Sequence, residues 1–347
     1  MVMTINLSNV LHNYKLLCDA ADGAIVAAVV KNDAYGLGGA HIARHLYEFG
    51  GARDFFVANF EEAVALRPHV SDSRIYILGG IFSNQADKFL EHNLIPAIST
   101  LAQFEICTQH NIKCVVNLET GLNRLGMCEN DIVQIPDAAR EKISLVISHL
   151  ACADDASHPL NAAQSERLTQ LRDKYFPGAK LSLAASDGMF LGNEFRCYIV
   201  RAGAGLYGLH ASPHQDSRLR PAVTIVAPIL QITALRAGES AGYSATFTAP
   251  HDMRIAIIGI GYGDGMFRSL SNKGRVFIGG HPAPIIGRVS MDMIIVDVTQ
   301  IDNVGDTAEI LNDTYTADNM AADAGTNGYE ILSRFGNTRR MTREYIL

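Results

Sequence analysis

The segment AIVAAVVKNDAYGLGG, residues 24–39, brings one lysine, Lys31, to the end of an apolar run and then enters a loop rich in Gly, Asp and Tyr. An ammonium group delivered to the end of a buried strand is costly unless it is neutral or bonded to something. Held neutral, it is a nucleophile for a carbonyl. Two later strand ends carry complementary groups: Ser186 closes KLSLAAS, and Arg201 opens the small-residue run RAGAG, which contains Gly203 and Ala204. Together they suit a phosphorylated aldehyde joined to the amine as a Schiff base. Pyridoxal phosphate is the candidate, because it acidifies the Cα–H of an amino acid. Lys31 on its own is also compatible with an ion-pair partner.

Positioning these groups is the task of a repeating framework. The apolar runs AIVAAVV, DFFVANF, RIYILGG, LIPAIST, KCVVNLE, ISLVISH, KLSLAAS and CYIVRAG are separated by longer segments, of which HIARHLYEFG, EEAVALR, QADKFLEH, FEICTQH and SERLTQLRDKY have helical spacing. Strands apolar on both faces and separated by helices form parallel sheets, so this α/β repeat predicts an N-terminal (β/α)8 TIM-type barrel. Functional groups in such a barrel come from the carboxyl ends of strands, with phosphate held after strands seven and eight. After Arg220-Pro221 the texture changes to AVTIVAPILQITAL, RIAIIGIGY, RVFIGG, APIIGRV and MIIVDVT, which predicts a mainly β C-terminal domain. The expected division is residues 1–215 and 216–347, with the boundary in SPHQDSRLRP near 213–221.

The 347 residues are 48% hydrophobic and 19% charged, a globular balance. A formal charge of -7 from 29 basic and 36 acidic residues, scattered without long runs, provides no footprint for nucleic acid. No apolar run reaches the about 18 residues of a membrane span, and MVMTINLSNVL opens without a basic signal region, so a cytoplasmic enzyme is expected. Six cysteines without a C-x-x-C pair fit a reducing compartment and small core residues. His41 and His45 are one helical turn apart, but the Glu of H-E-x-x-H is missing and no third ligand is evident, so no metal is expected. GLGGAH and GIGYGDG fail as dinucleotide loops because His41 and Asp264 take the third glycine position.

AVVKNDAYGLGG closely resembles the cofactor-lysine segment of the alanine racemases, a pyridoxal-phosphate family of fold type III. The likeness continues in order through ETGLNRLGM, SHLACADD, RAGAGLYG, AGYSATFTA, GIGYGDG and GRVSMDM, across nearly the whole chain. It implies a homodimer with shared active sites that interconverts L- and D-alanine and supplies D-alanine for peptidoglycan. By the same resemblance Lys31 holds the cofactor and is one catalytic base. Tyr35, Ser186, Gly203, Ala204 and Tyr329 bind phosphate, Arg124 bonds the phenolic oxygen and assists the substrate, and His149 lies beneath the ring, linked to Arg201.

Arg201 carries the most chemical information. A guanidinium only donates and stays charged, so opposite the pyridine nitrogen it keeps that nitrogen unprotonated and weakens the electron sink. That favours return of a proton over transamination, and it argues against an amino-acid decarboxylase of the same fold type, which pairs the nitrogen with an acid. Racemisation also needs a base on the opposite face. Tyr243 in AGYSATF matches the family's second base, which comes from the partner subunit; a phenol ordinarily ionises near pH ~10, so such a base needs positive charge nearby.

Met291 resembles the residue whose backbone N–H binds the substrate carboxylate. Tyr262 resembles one that narrows the entrance, with Asp292 and Arg268 supporting that wall. A narrow site favours alanine, although about 1–3 kcal/mol per methylene leaves serine as a slow substrate. One position departs from the family: where many members carry a carbamylated lysine, seven residues before Arg124, this chain has Asn117. Either Asn117 orients Arg124 directly or a small anion fills the missing charge.

Taken singly, each of these residues has a plainer use. The tyrosines suit packing, Arg124 and Arg201 ion pairs, Ser186 a helix cap and Met291 the core. A carrier of the cofactor built on the barrel alone would have no use for the domain bearing Tyr243.

Overall fold

A strand that is apolar on both faces must be covered on both, and the first two-thirds of the chain satisfies this by alternating strand with helix. The computed structural model describes residues 1–210 and 215–347, so positions 212–214 of the expected boundary segment SPHQDSRLRP lie outside the described residues. The chain divides into two units: Val10–Ala34 with Gly38–Leu219, and Met1–Asn9 with Tyr35–Leu37 and Arg220–Leu347.

The strand β1 (Val2–Asn6) belongs to the second unit. The first unit holds β2 (Ile25–Val29), β3 (Asp54–Val57), β4 (Arg74–Ile77), β5 (Leu94–Ile98), β6 (Val115–Asn117), β7 (Leu145–Ile147), β8 (Lys180–Ser182) and β9 (Ile199–Ala202). They pair in parallel in the order β8-β7-β6-β5-β4-β3-β2-β9. A bridge between Ala185 and Arg201, with the Tyr198 N–H donating to the Leu181 carbonyl at 3.0 Å, closes the ring. This is the expected TIM-type barrel. Its interior cluster joins Ala27 and Val29 to Phe56, Tyr76, Val115 and Ile147, with Phe56 and Tyr76 stacked at 4.5 Å.

All five expected helices are present, the longest being Pro159–Tyr175. The helix Leu7–Ala20 escaped the sequence analysis because Asn13 and Tyr14 share its buried face with Val10 and Leu17 and break the apolar pattern. Among the described residues no helix is long and apolar enough to cross a membrane.

The second unit is mainly antiparallel β, as expected. Its strands are β10 (Val223–Leu235), β11 (Ser240–Ala241), β12 (Phe247–Thr248), β13 (Met253–Ile258), β14 (Arg275–Ile278), β15 (His281–Ile286), β16 (Ile294–Asp297), β17 (Thr307–Leu311) and β18 (Thr342–Ile346). The main sheet runs β13-β16-β15-β14-β17-β10-β1-β18, and β10 also pairs with β13 after an irregularity between Ile229 and Gln231. The missed strand β1 lies between β10, antiparallel, and β18, parallel; five residues of VMTIN are too short to stand out by pattern. Helices Ala317–Ala324 and Gly328–Gly336 start at Thr316 and Asn327, whose side chains accept the Asn319 and Glu330 N–H groups.

Candidate active site

Lys31 lies two positions beyond the end of β2, and the backbone reverses hand immediately after it. Asn32, Asp33, Ala34 and Tyr35 have φ of 53, 53, 55 and 59°, and Gly36 has 86°. A left-handed backbone costs a non-glycine residue about 1–2 kcal/mol. Two carboxylates help to hold the turn: Glu62 accepts the Asn32 N–H at 2.8 Å and Asp33 accepts the Gly39 N–H at 2.6 Å. The half-buried Lys31 amine has a pKa below that of an ordinary lysine, chiefly through burial and then through the positive charges of Arg124 and Arg201; Glu62 opposes the shift.

Arg201, on β9, is buried. Its Nη1 donates to the Ser182 carbonyl and hydroxyl at 2.9 and 2.6 Å. Its Nη2 donates to the carbonyls of Leu183, at 3.1 Å, and of Ser148, and lies 3.3 Å from His149 Nδ1. Among the described residues no carboxylate offsets this charge: burial lowers its pKa to about 10, and only Cys197 opposes. The guanidinium therefore stays protonated near neutrality. Burial first, then the charges of Arg201, Arg124 and Lys31, push His149 down to about 3. The imidazole is thus neutral, with Nδ1 as the acceptor toward a group that can only donate.

Gln164 had no signal in the sequence. Fully buried on Pro159–Tyr175, it donates to the His149 carbonyl at 2.9 Å and to Thr120 Oγ1 at 3.2 Å, and accepts the Ala151 N–H at 2.8 Å.

Ser186 lies beyond β8, buried, and its Oγ accepts the N–H groups of Gly203 at 2.9 Å and Gly205 at 3.1 Å. The hydroxyl keeps its own proton to donate. Ala204, expected with Gly203 to offer its amide to phosphate, begins the short turn Ala204–Tyr207. Tyr35 and Tyr329 meet within the other unit, ring centroids 6.0 Å apart and tilted by 37°.

Arg124 is exposed on the loop after β6. The loop returns on itself, the Met127 N–H donating to the Asn117 carbonyl at 2.7 Å and the Glu119 N–H to the Met127 carbonyl at 3.2 Å. Asn117 does not reach the Arg124 guanidinium. Its Nδ2 donates to the Leu125 carbonyl at 2.9 Å and to Ser99 Oγ at 3.2 Å, so it holds the backbone next to Arg124.

In the second unit the segments carrying Tyr262 and Met291 are zipped together. The Tyr262 and Gly263 N–H groups donate to the Ser290 and Met291 carbonyls, each at 2.9 Å, and a Cβ built on Gly261 would meet the Met291 oxygen at 2.3 Å. Met291 is 55% exposed, Tyr262 39% and Tyr243, on the turn Tyr243–Ala245, 72%. Arg268, on the turn Arg268–Leu270, is exposed. The cation on Asp292 is Arg340, at 2.8 Å, which nothing in the sequence analysis had singled out.

The donor set suits an anion that also carries an aldehyde. Lys31 has a lowered pKa, Arg201 is a buried cation with no carboxylate beside it among the described residues, and Ser186 offers a hydroxyl proton. Pyridoxal phosphate, with one aldehyde, one phosphate and one basic ring nitrogen, fits those groups. His45, by contrast, is buried against Phe49 at 4.9 Å, and among the described residues no cluster of three His, Cys, Asp or Glu side chains forms a metal cage.

Residues 5–211 match the family model described as alanine racemase, N-terminal domain, and residues 222–345 match that for the C-terminal domain. The chain is 40% identical over 358 residues to an alanine racemase of Rickettsia canadensis (strain McKiel), covering 99% of this chain and 98% of that one. It is 37% identical over 368 residues to one from Rhizobium meliloti (strain 1021), at 99% and 96% coverage. Among solved structures, the alanine racemase from Bartonella henselae with covalently bound pyridoxal phosphate superposes with a TM-score of 0.92 at 34% identity, covering 99% of each chain. The biosynthetic alanine racemase from Pseudomonas aeruginosa gives 0.89 at 31% identity, covering 100% of this chain and 99% of that one.

Proposed function

The chain belongs to the alanine racemase family, and from that premise we propose that it interconverts L- and D-alanine with pyridoxal phosphate held at Lys31, in sites shared between two copies. The observation that carries the reading is a half-buried, pKa-lowered lysine just beyond β2 that feels the charge of a buried guanidinium, Arg201, with no carboxylate to offset it among the described residues. The cofactor, when bound, supplies the electron sink that makes the Cα–H of an amino acid acidic.

The remaining work falls to the chain's own groups. Lys31 Nζ would hold the cofactor through its aldehyde and would take or return the Cα proton on one face. Arg201, a permanent donor braced by His149, would pair with the cofactor's ring nitrogen and keep a proton off it. Ser186, Tyr35 and Tyr329 are the groups that would bind the phosphate. Arg124 would donate to the cofactor's phenolic oxygen and assist the substrate. Asn117 keeps the Arg124 backbone in place.

The second face requires a base that one copy does not supply to itself. Tyr243, Tyr262 and Met291 are unusually exposed for large apolar or aromatic groups, as expected of residues that face another copy. In this reading residues 216–347 form the domain whose Tyr243 phenol serves the partner's site, while the Met291 N–H takes the substrate carboxylate. Tyr262 narrows the entrance, and Asp292 lies in the same wall. The product feeds peptidoglycan synthesis, and the six free cysteines suit a cytoplasmic site for it.

The test is to incubate the purified enzyme with pyridoxal phosphate and optically pure L-alanine in deuterium oxide. D-alanine labelled at Cα is expected. A solution that keeps its optical purity and gains no deuterium would overturn the reading.

A further inference from the structure

Arg340 lies in NTRRMT, outside every motif that drew attention in the sequence, yet its guanidinium holds two carboxylates at once. Nε and Nη2 donate to the two oxygens of Asp264 at 2.6 and 2.7 Å, and Nη1 lies 2.8 Å from Asp292 Oδ1. Asp264 is fully buried and also accepts the Gly261 N–H at 2.9 Å, so its half of the clamp serves the fold. The other half has little to do with stability. Arg340 and Asp292 are 49% and 50% exposed, and ion pairs in water contribute little to folding.

Asp292 directly follows Met291, whose N–H is the substrate-carboxylate anchor of the function proposed above. An unpaired aspartate one residue from that anchor repels an arriving amino-acid carboxylate. Resting on that reading, we infer that Arg340 is a positioning residue for substrate binding: it neutralises Asp292 beside the carboxylate anchor while joining the Tyr262 segment to the Met291 segment. A guanidinium suits the place because its fork satisfies both oxygens of Asp264 and still leaves Nη1 for Asp292.

The experiment compares steady-state racemisation by the wild type, Arg340→Met, Asp292→Asn and the double variant, with thermal melts of each. Arg340→Met is expected to raise the KM for alanine about fivefold, the effect of one nearby charge in a solvated setting, with kcat within about twofold. Asp292→Asn sets the reference for the double variant, and adding it to Arg340→Met should bring KM to within about twofold of that of the Asp292→Asn single variant. At about 0.5 M salt the gap between Arg340→Met and wild type should narrow, because exposed charges are screened. A lost fold contact alone would lower the melting temperature without rescue by Asp292→Asn.

A wild-type KM in Arg340→Met, or a raised KM that persists in the double variant, overturns the inference. If Arg340→Met does not fold because Asp264 is left buried and unpaired, Asp264→Asn is added to both variants and the same comparison decides. A wild type that does not racemise alanine overturns this inference together with the functional reading. A racemising wild type with either adverse KM result overturns this inference alone.

Discussion

Arg201 Nη2 lies 3.3 Å from His149 Nδ1, and the two groups settle one another's protonation: the guanidinium only donates, so the imidazole must accept. Burial and three neighbouring positive charges put the folded-state pKa of His149 at about 3. Its ordinary value is about 6.5, so the unfolded chain binds a proton at mild acidity that the folded chain refuses. Stability from this residue is complete above about pH 6.5 and is lost as pH falls toward 3. The loss amounts to about 2 kcal/mol at pH 5. Replacing His149 with Asn, which does not titrate, should shrink the difference in urea-unfolding free energy between pH 7 and pH 5 by about that amount. An unchanged difference would mean that the histidine is already charged in the folded protein.

The lowered pKa of Lys31 has a kinetic reading. At pH 7 to 8 a larger fraction of its amine is neutral than in a free lysine, so cofactor-free protein should capture pyridoxal phosphate faster than an N-acetyl-lysine standard does. Arg201→Met removes one of the charges that lower it and should move the midpoint of capture against pH upward. Borohydride reduction followed by peptide mass analysis locates the bond, and Lys31→Ala should carry none. A reduced adduct on another lysine would reject Lys31 as the anchor.

Two-sided chemistry across two copies predicts directional damage. Tyr243→Phe should slow hydrogen loss from L-alanine far more than from D-alanine, read as deuterium washed into each enantiomer under initial-rate conditions. Mixing Lys31→Ala with Tyr243→Phe subunits should rebuild one competent site in each mixed dimer, or about a quarter of wild-type activity from an equal mixture. Verified heterodimers with no activity would show that each copy supplies its own bases.

Asn117 stabilises the loop of Arg124 through the Leu125 carbonyl, so Asn117→Ala should cost about 1 kcal/mol of stability and raise the KM for alanine. Kinetics in chloride and in a chloride-free buffer separate this from an anion bound beside Arg124. A KM that responds to chloride in the wild type would favour the anion.

Much of the barrel was legible because its strands are buried on both faces, and that burial writes itself into the chain as runs such as AIVAAVV and DFFVANF at helix-length intervals. The same periodicity placed Lys31, Ser186 and Arg201 near the carboxyl ends of strands, although Ser186 follows β8 by four residues and Arg201 lies within β9. What pairs with what was a different matter. The contact of Gln164 with His149, of Asn117 with Leu125 rather than Arg124, and of Arg340 with both Asp264 and Asp292 joins residues eight to 76 positions apart. No local pattern encodes such pairs. Hydrogen bonds and ion pairs act over a few ångströms, and which side chains come that close is decided only when the β strands have taken their order and the loops between them have been closed.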